Sequence, residues 1–143
     1  MALTFRYHTP QGSSNNLKKP TIPIEFKLES GGYIEVMCLV DSGADNIVLP
    51  RGIAELINVK LSEDVFTSNG IGGSVEVRRG VAIFRIKKEH GYKNITAPVE
   101  VMNTDNIPVI LGRKGFFDRF IITIDEFHQI VKLKEHQARQ RVS

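Results

Sequence analysis

Val36-Met37-Cys38-Leu39-Val40-Asp41-Ser42-Gly43-Ala44-Asp45 runs from five apolar side chains straight into a carboxylate, a hydroxyl and a glycine. Extended back to Tyr33, the apolar part reads as a strand, and an uninterrupted apolar run predicts burial on both faces. A carboxylate at the end of such a strand is costly unless it is paired or hydrogen-bonded. Gly43 allows a tight backbone and close approach by another group. Ser42 can donate a hydroxyl hydrogen bond. Taken alone, Asp-Ser-Gly is also an ordinary turn sequence, so its neighbours must decide.

Working outward, short alternating segments dominate. Leu3, Phe5 and Tyr7 predict an opening strand, and residues 9–19 have the composition of a flexible loop. Residues 21–28 place Ile22, Ile24, Phe26 and Leu28 on one face, with Pro23 favouring an edge position. Residues 50–59 predict a helix with Pro50 near its start and Ile53, Leu56 and Ile57 at helical spacing. Residues 65–86 read as a long hairpin tipped by Gly70-Ile71-Gly72-Gly73. Strands follow over 94–102 and 109–111. Residues 112–119 suggest a short helix with Phe116, Phe117 and Phe120 turned inward. Residues 120–125 and 129–134 form a closing hairpin, and 135–143 a polar, frayed tail. The expectation is one mainly β domain over residues 1–134, a small closed β-barrel with a flap hairpin and one or two short helices.

Composition narrows the function classes. The 143 residues are 41% hydrophobic and 24% charged, ordinary for a folded globular domain. Cys38 is the single cysteine, which excludes a cysteine-rich metal site and suits a reducing compartment. His8, His90, His128 and His136 form no metal-binding pair, so neither metal nor cofactor is expected. No run approaches the roughly 20 apolar residues of a membrane helix, and no apolar leader opens the chain. A soluble, cytoplasmic protein with no membrane partner is expected. A net charge of +3, without Trp, does not point to nucleic acid. Lys132, Lys134, Arg139 and Arg141 read as solvated charge.

Three segments in order change the weight of Asp-Ser-Gly: the strand ending at Asp41-Ser42-Gly43-Ala44-Asp45, the hairpin tip Gly70-Ile71-Gly72-Gly73, and Val109-Ile110-Leu111-Gly112-Arg113. Together they resemble the retroviral-type aspartic proteases, the single-domain retropepsins, and look most like stand-alone prokaryotic members. The resemblance covers about residues 21–125. It implies a retropepsin-like fold, with Asp41 as the catalytic aspartate, Ser42 and Gly43 in the active-site loop, and Gly70, Ile71, Gly72 and Gly73 as the flap tip. It implies that Ile110, Leu111 and Gly112 pack beneath the site and that Arg113 pairs with Asp45. Ala44, Asp45 and Asn46 would line the cleft with the flap. Two departures stand out: Lys114 occupies a position where Asn or Asp is usual, and residues 125–143 extend past the retroviral end.

The chemistry then constrains assembly. Aspartic peptidases need two carboxylates around one water, one ionised and one protonated. A chain with one such triplet must dimerise and place Asp41 of each subunit across a two-fold axis. The expected partners are therefore a second copy and a peptide or protein substrate. The alternative is a dimeric peptide-binding module on the same fold with little or no catalysis.

Overall fold

The computed structural model describes residues 2–11, 16–70 and 73–136. Ten strands and one helix follow in order: β1 Ala2–Arg6, β2 Thr21–Lys27, β3 Tyr33–Val40, β4 Ile47–Pro50, α1 Arg51–Leu56, β5 Val65–Gly70, β6 Gly73–Lys87, β7 Tyr92–Met102, β8 Ile110–Leu111, β9 Phe120–Asp125 and β10 Ile130–Glu135. A seven-stranded sheet has the order β2-β3-β8-β4-β7-β6-β5, and β1-β10-β9 form a second, antiparallel sheet.

The long strand β6 organises the larger sheet. Its first part pairs with β5 from Gly73 opposite Gly70 to Arg78 opposite Val65. From Val77 to Lys87 its other side pairs with β7. Near its end Phe84 and Arg85 also meet Phe26 and Glu25 of β2, so the first strand in the order returns to the sixth. Pro23 lies on the part of β2 that has only β3 beside it, consistent with its missing N–H.

Alternation sets the core. Ile22, Ile24 and Phe26 of β2 face Phe84 and Ile86 of β6, Ile95, Ala97 and Val99 of β7, and Val36, Cys38 and Val40 of β3 in one apolar cluster. Val131 and Leu133 from the smaller sheet join the same cluster, with Leu3, Phe5 and Ile122 packed against it. β3 departs from expectation: Met37 and Leu39 are only half-buried, so the strand covers one face fully and not both.

Two helix expectations need correction. α1 stops at Leu56, short of residue 59, because Asn58 takes a left-handed φ of 50° and turns the chain. No side chain of its own caps α1; the Asp105 carboxylate instead accepts the Gly52 N–H at 2.7 Å and the Arg51 guanidinium at 3.0 Å, serving donors that a helix start leaves open. Residues 112–119 are a series of turns, not a helix. Gly115 at φ 95° breaks any helical run, yet Phe116 and Phe120 are buried as expected, with ring centroids 5.2 Å apart.

The polar tail begins later than expected, since Glu135 is the last residue of β10 and bonds Lys93 at 3.1 Å. Within the segment expected to be a flexible loop, Lys19 bridges His8 and the Gln11 side chain accepts the Met37 N–H at 2.9 Å. Residues 12–15 and 137–143 lie outside the described residues.

Candidate active site

Asp41 is the first residue after β3, and β8 holds the loop it opens. β8 runs parallel to β3, with Leu39 opposite Ile110 and Val40 opposite Leu111, and antiparallel to β4 at Val48. This two-residue strand therefore lies between the strands that enter and leave the loop. The Asp41 N–H donates to the Leu111 carbonyl at 3.1 Å. Beyond the loop the Arg113 and Lys114 N–H groups donate to the Ala44 and Asp45 carbonyls, each at 2.9 Å. The site-bearing turn is thus stitched to β8 at both ends.

Gly112 is the point of closest approach. A Cβ there would stand 2.7 Å from the Ala44 carbonyl oxygen and would overlap the Asn46 carbonyl. Only a residue without a side chain lets the 44–46 backbone sit on β8. Ile110 is half-buried and Leu111 buried in β8.

Inside the loop the Asp41 carboxylate is oriented by its neighbours. Its Oδ1 accepts the Gly43 N–H at 2.8 Å, and the Ala44 N–H closes the turn on the Asp41 carbonyl at 3.2 Å. Asp41 is half-buried, while Ser42, Gly43 and Asp45 are exposed. The carboxylate is therefore held but reachable. Among the described residues no second acidic side chain bonds to it.

The Arg113 expectation needs correction in its partner. No ion pair joins Arg113 to Asp45 among the described residues. The Arg113 Nε–H donates instead to the Ser42 carbonyl at 2.9 Å. Arg113 still ties the loop, but through the backbone oxygen next to Asp41, while its own N–H fixes it to Ala44. Asn46, at the end of the loop, donates from Nδ2 to Glu100 Oε1 on β7 at 2.7 Å. Glu100 escaped the sequence reading; it lies 54 residues away, and no local pattern marks such a pair.

In the β5–β6 hairpin, Gly70 and Gly73 pair across the tip and Gly73 has φ 116°, a conformation open to glycine at little cost. Ile71 and Gly72 lie outside the described residues. A cavity of about 770 Å³ lies along β6 from Arg79 to Ile83 and against residues 57–62. It contains no residue of the Asp41 loop.

Other reactive groups offer no competing centre. Burial pushes the Cys38 thiol well above its usual range, and its Sγ donates to the Val36 carbonyl at 3.4 Å; a protonated, buried thiol is a poor nucleophile. Among the described residues no group of three or more His, Cys, Asp or Glu side chains could hold a metal ion, and no helix is long and apolar enough to cross a membrane.

Comparison with known proteins bears on the fold. No protein-family model and no curated protein matches the sequence. Among solved structures, a retropepsin-like aspartic protease from Rickettsia conorii is similar, with TM-score 0.58 and 21% identity over 93% of this chain and 98% of that one. A protease of EIAV, solved with the inhibitor HBY-793, aligns with TM-score 0.42 and 28% identity over 70% of this chain and 88% of that one. The strand order, the β8-supported Asp41 loop and the Rickettsia likeness lead to one conclusion: the chain has a retropepsin-like fold.

Proposed function

We propose that the chain is one subunit of a homodimeric aspartic endopeptidase, with residues 1–134 as its single domain. The observation that carries this reading is the half-buried Asp41 carboxylate, aimed by the Gly43 N–H at 2.8 Å in a loop stitched to β8.

In the dimer, Asp41 of each subunit faces one water. Two like charges about 3 Å apart resist joint ionisation, so the pair shares one proton. The ionised Asp41 takes a proton from water as its oxygen attacks the peptide carbonyl carbon. The protonated Asp41 donates to the carbonyl oxygen, giving a tetrahedral diol. Collapse of that diol breaks the C–N bond, with a proton delivered to the leaving amine. The two apparent pKa values belong to the pair. Ser42 and Gly43 orient the carboxylate. Ala44, Asp45 and Asn46 meet the substrate backbone. The flap, from Gly70 through Ile71 and Gly72 to Gly73, closes over an extended peptide and excludes water. Residues Ile110, Leu111, Gly112 and Arg113 support the loop. The reaction runs in the cytoplasm and needs neither metal nor organic cofactor.

The test is incubation of the purified protein with unfolded casein across a pH series, with Asp41→Asn alongside. Cleavage on the acid side that vanishes in Asp41→Asn is expected, with an unchanged circular dichroism spectrum. Casein bound but left intact by both proteins would favour the peptide-binding module.

A further inference from the structure

A small pocket of about 160 Å³ opens beside the Asp41 loop, lined by Asn46, Arg79, Pro98, Val99, Glu100 and Lys114. Three segments build it. Asn46 leads into β4 and bridges Lys114, the residue after Arg113. Pro98, Val99 and Glu100 belong to β7, and Arg79 on β6 stands directly across from Glu100. Val99 belongs to the core cluster, on the opposite face of β7 from Pro98 and Glu100.

Its charges are unbalanced. Glu100 already accepts the Asn46 amide at 2.7 Å. Arg79 lays its guanidinium over the Phe66 ring, 5.0 Å from the centroid. Neither Arg79 nor Lys114 has a carboxylate within ion-pair distance among the described residues. Two exposed cations therefore flank a pocket with one carboxylate, which leaves one positive charge in excess.

We propose that this pocket is a subsite for an acidic side chain, Asp or Glu, of the bound peptide, with Lys114 and Arg79 as its charge partners. The proposal rests on the peptide-cleaving reading of the Asp41 loop. A glutamate entering beside Asn46 meets two cations against the one carboxylate of Glu100, a net attraction. A lysine in its place meets the net positive charge of the pocket and is disfavoured, and a glutamine loses the attraction. Because the contact lies off the scissile bond, the selection is expected in KM more than in kcat.

The experiment is a set of otherwise identical peptides carrying Glu, Gln or Lys at each of the positions flanking the cleaved bond. The same labelled peptides are bound to the Asp41→Asn protein and followed by fluorescence anisotropy. At one position, Glu is expected to be favoured over Lys by about fivefold or more, the scale of a partly exposed ion pair. Lys114→Arg should keep that preference and Lys114→Glu should reverse it. Equal use of Glu and Lys at every position, or a preference that survives Lys114→Glu, overturns the subsite. If the wild-type protein binds these peptides with a Lys114-dependent preference yet cleaves none, the subsite stands and the peptidase reading fails. Absence of any peptide binding removes both.

Discussion

Replacing Gly112 with alanine adds one methyl where β8 carries the Asp41 loop. That carbon would stand 2.7 Å from the Ala44 carbonyl oxygen and nearer still to that of Asn46. Ordinary carbon contacts settle at about 3.5 Å, so the two segments must part by roughly 1 Å. Both obstacles are backbone, so no side-chain rotation relieves them. Overpacking of this kind costs about 1–3 kcal/mol. Parting also stretches the Arg113 N–H to Ala44 and Lys114 N–H to Asp45 bonds, now 2.9 Å each, at about 1 kcal/mol apiece. The sum is about 3–5 kcal/mol, or a fall in melting temperature of about 10 °C or more for a domain of this size. A 1 Å displacement of the carboxylate should also lower turnover by about 10²-fold. Differential scanning calorimetry, with kcat/KM measured at a temperature where the variant is fully folded, separates the two effects. A Gly112→Ala protein that melts within about 2 °C of wild type and turns over normally would refute the reasoning, because β8 would then not bear the loop.

Arg113→Lys keeps the charge but loses the Nε donor to Ser42; it should reduce turnover, with a stability loss of about 1 kcal/mol by thermal melting. Asp45→Ala should leave the melting temperature unchanged, since no ion pair depends on it among the described residues. Acid should weaken the fold through three carboxyls held below their ordinary range: Asp105 by the Gly52 N–H and Arg51, Asp125 by the His128 N–H and side chain, and Glu135 by Lys93. Their contribution is complete above the unfolded carboxyl range, about pH 4. It is lost as pH falls through the lower folded values, so melting temperature should drop only below about pH 4, and less steeply in Asp105→Asn. Tyr7 is buried and its hydroxyl has no partner among the described residues; Tyr7→Phe should therefore melt at or above the wild-type temperature.

Local patterns carried most of the fold. The alternation of Ile22, Ile24 and Phe26, the apolar run into Asp41 and the glycine-tipped hairpin each concern neighbouring residues, and strands stand at all three places. The turns at 112–119 were hidden because Phe116, Phe117 and Phe120 mimic helical spacing; the positive φ of Gly115 that undoes it is a packing outcome, with Ile47 and Ala97 each 3.0 Å from where its Cβ would be. Non-local contacts were the least legible. Two residue pairs join β2 to β6 across 60 and 58 positions, and Glu100 meets Asn46 across 54. Arg113 shows the same limit: its place beside the loop followed from the sequence, but its choice of the Ser42 carbonyl over the Asp45 carboxylate depended on which acceptor the β8 register brought within reach.

The central claim is that each active site takes one Asp41 from each of two subunits. Mixing wild-type and Asp41→Asn proteins, with time for subunit exchange, tests it most directly by measuring cleavage against composition at constant total protein. If the dyad is shared, only wild-type pairs act, so activity follows the square of the wild-type fraction and falls to about a quarter in an equal mixture. Activity proportional to the wild-type fraction after verified exchange, or full cleavage by Asp41→Asn alone, would contradict the account.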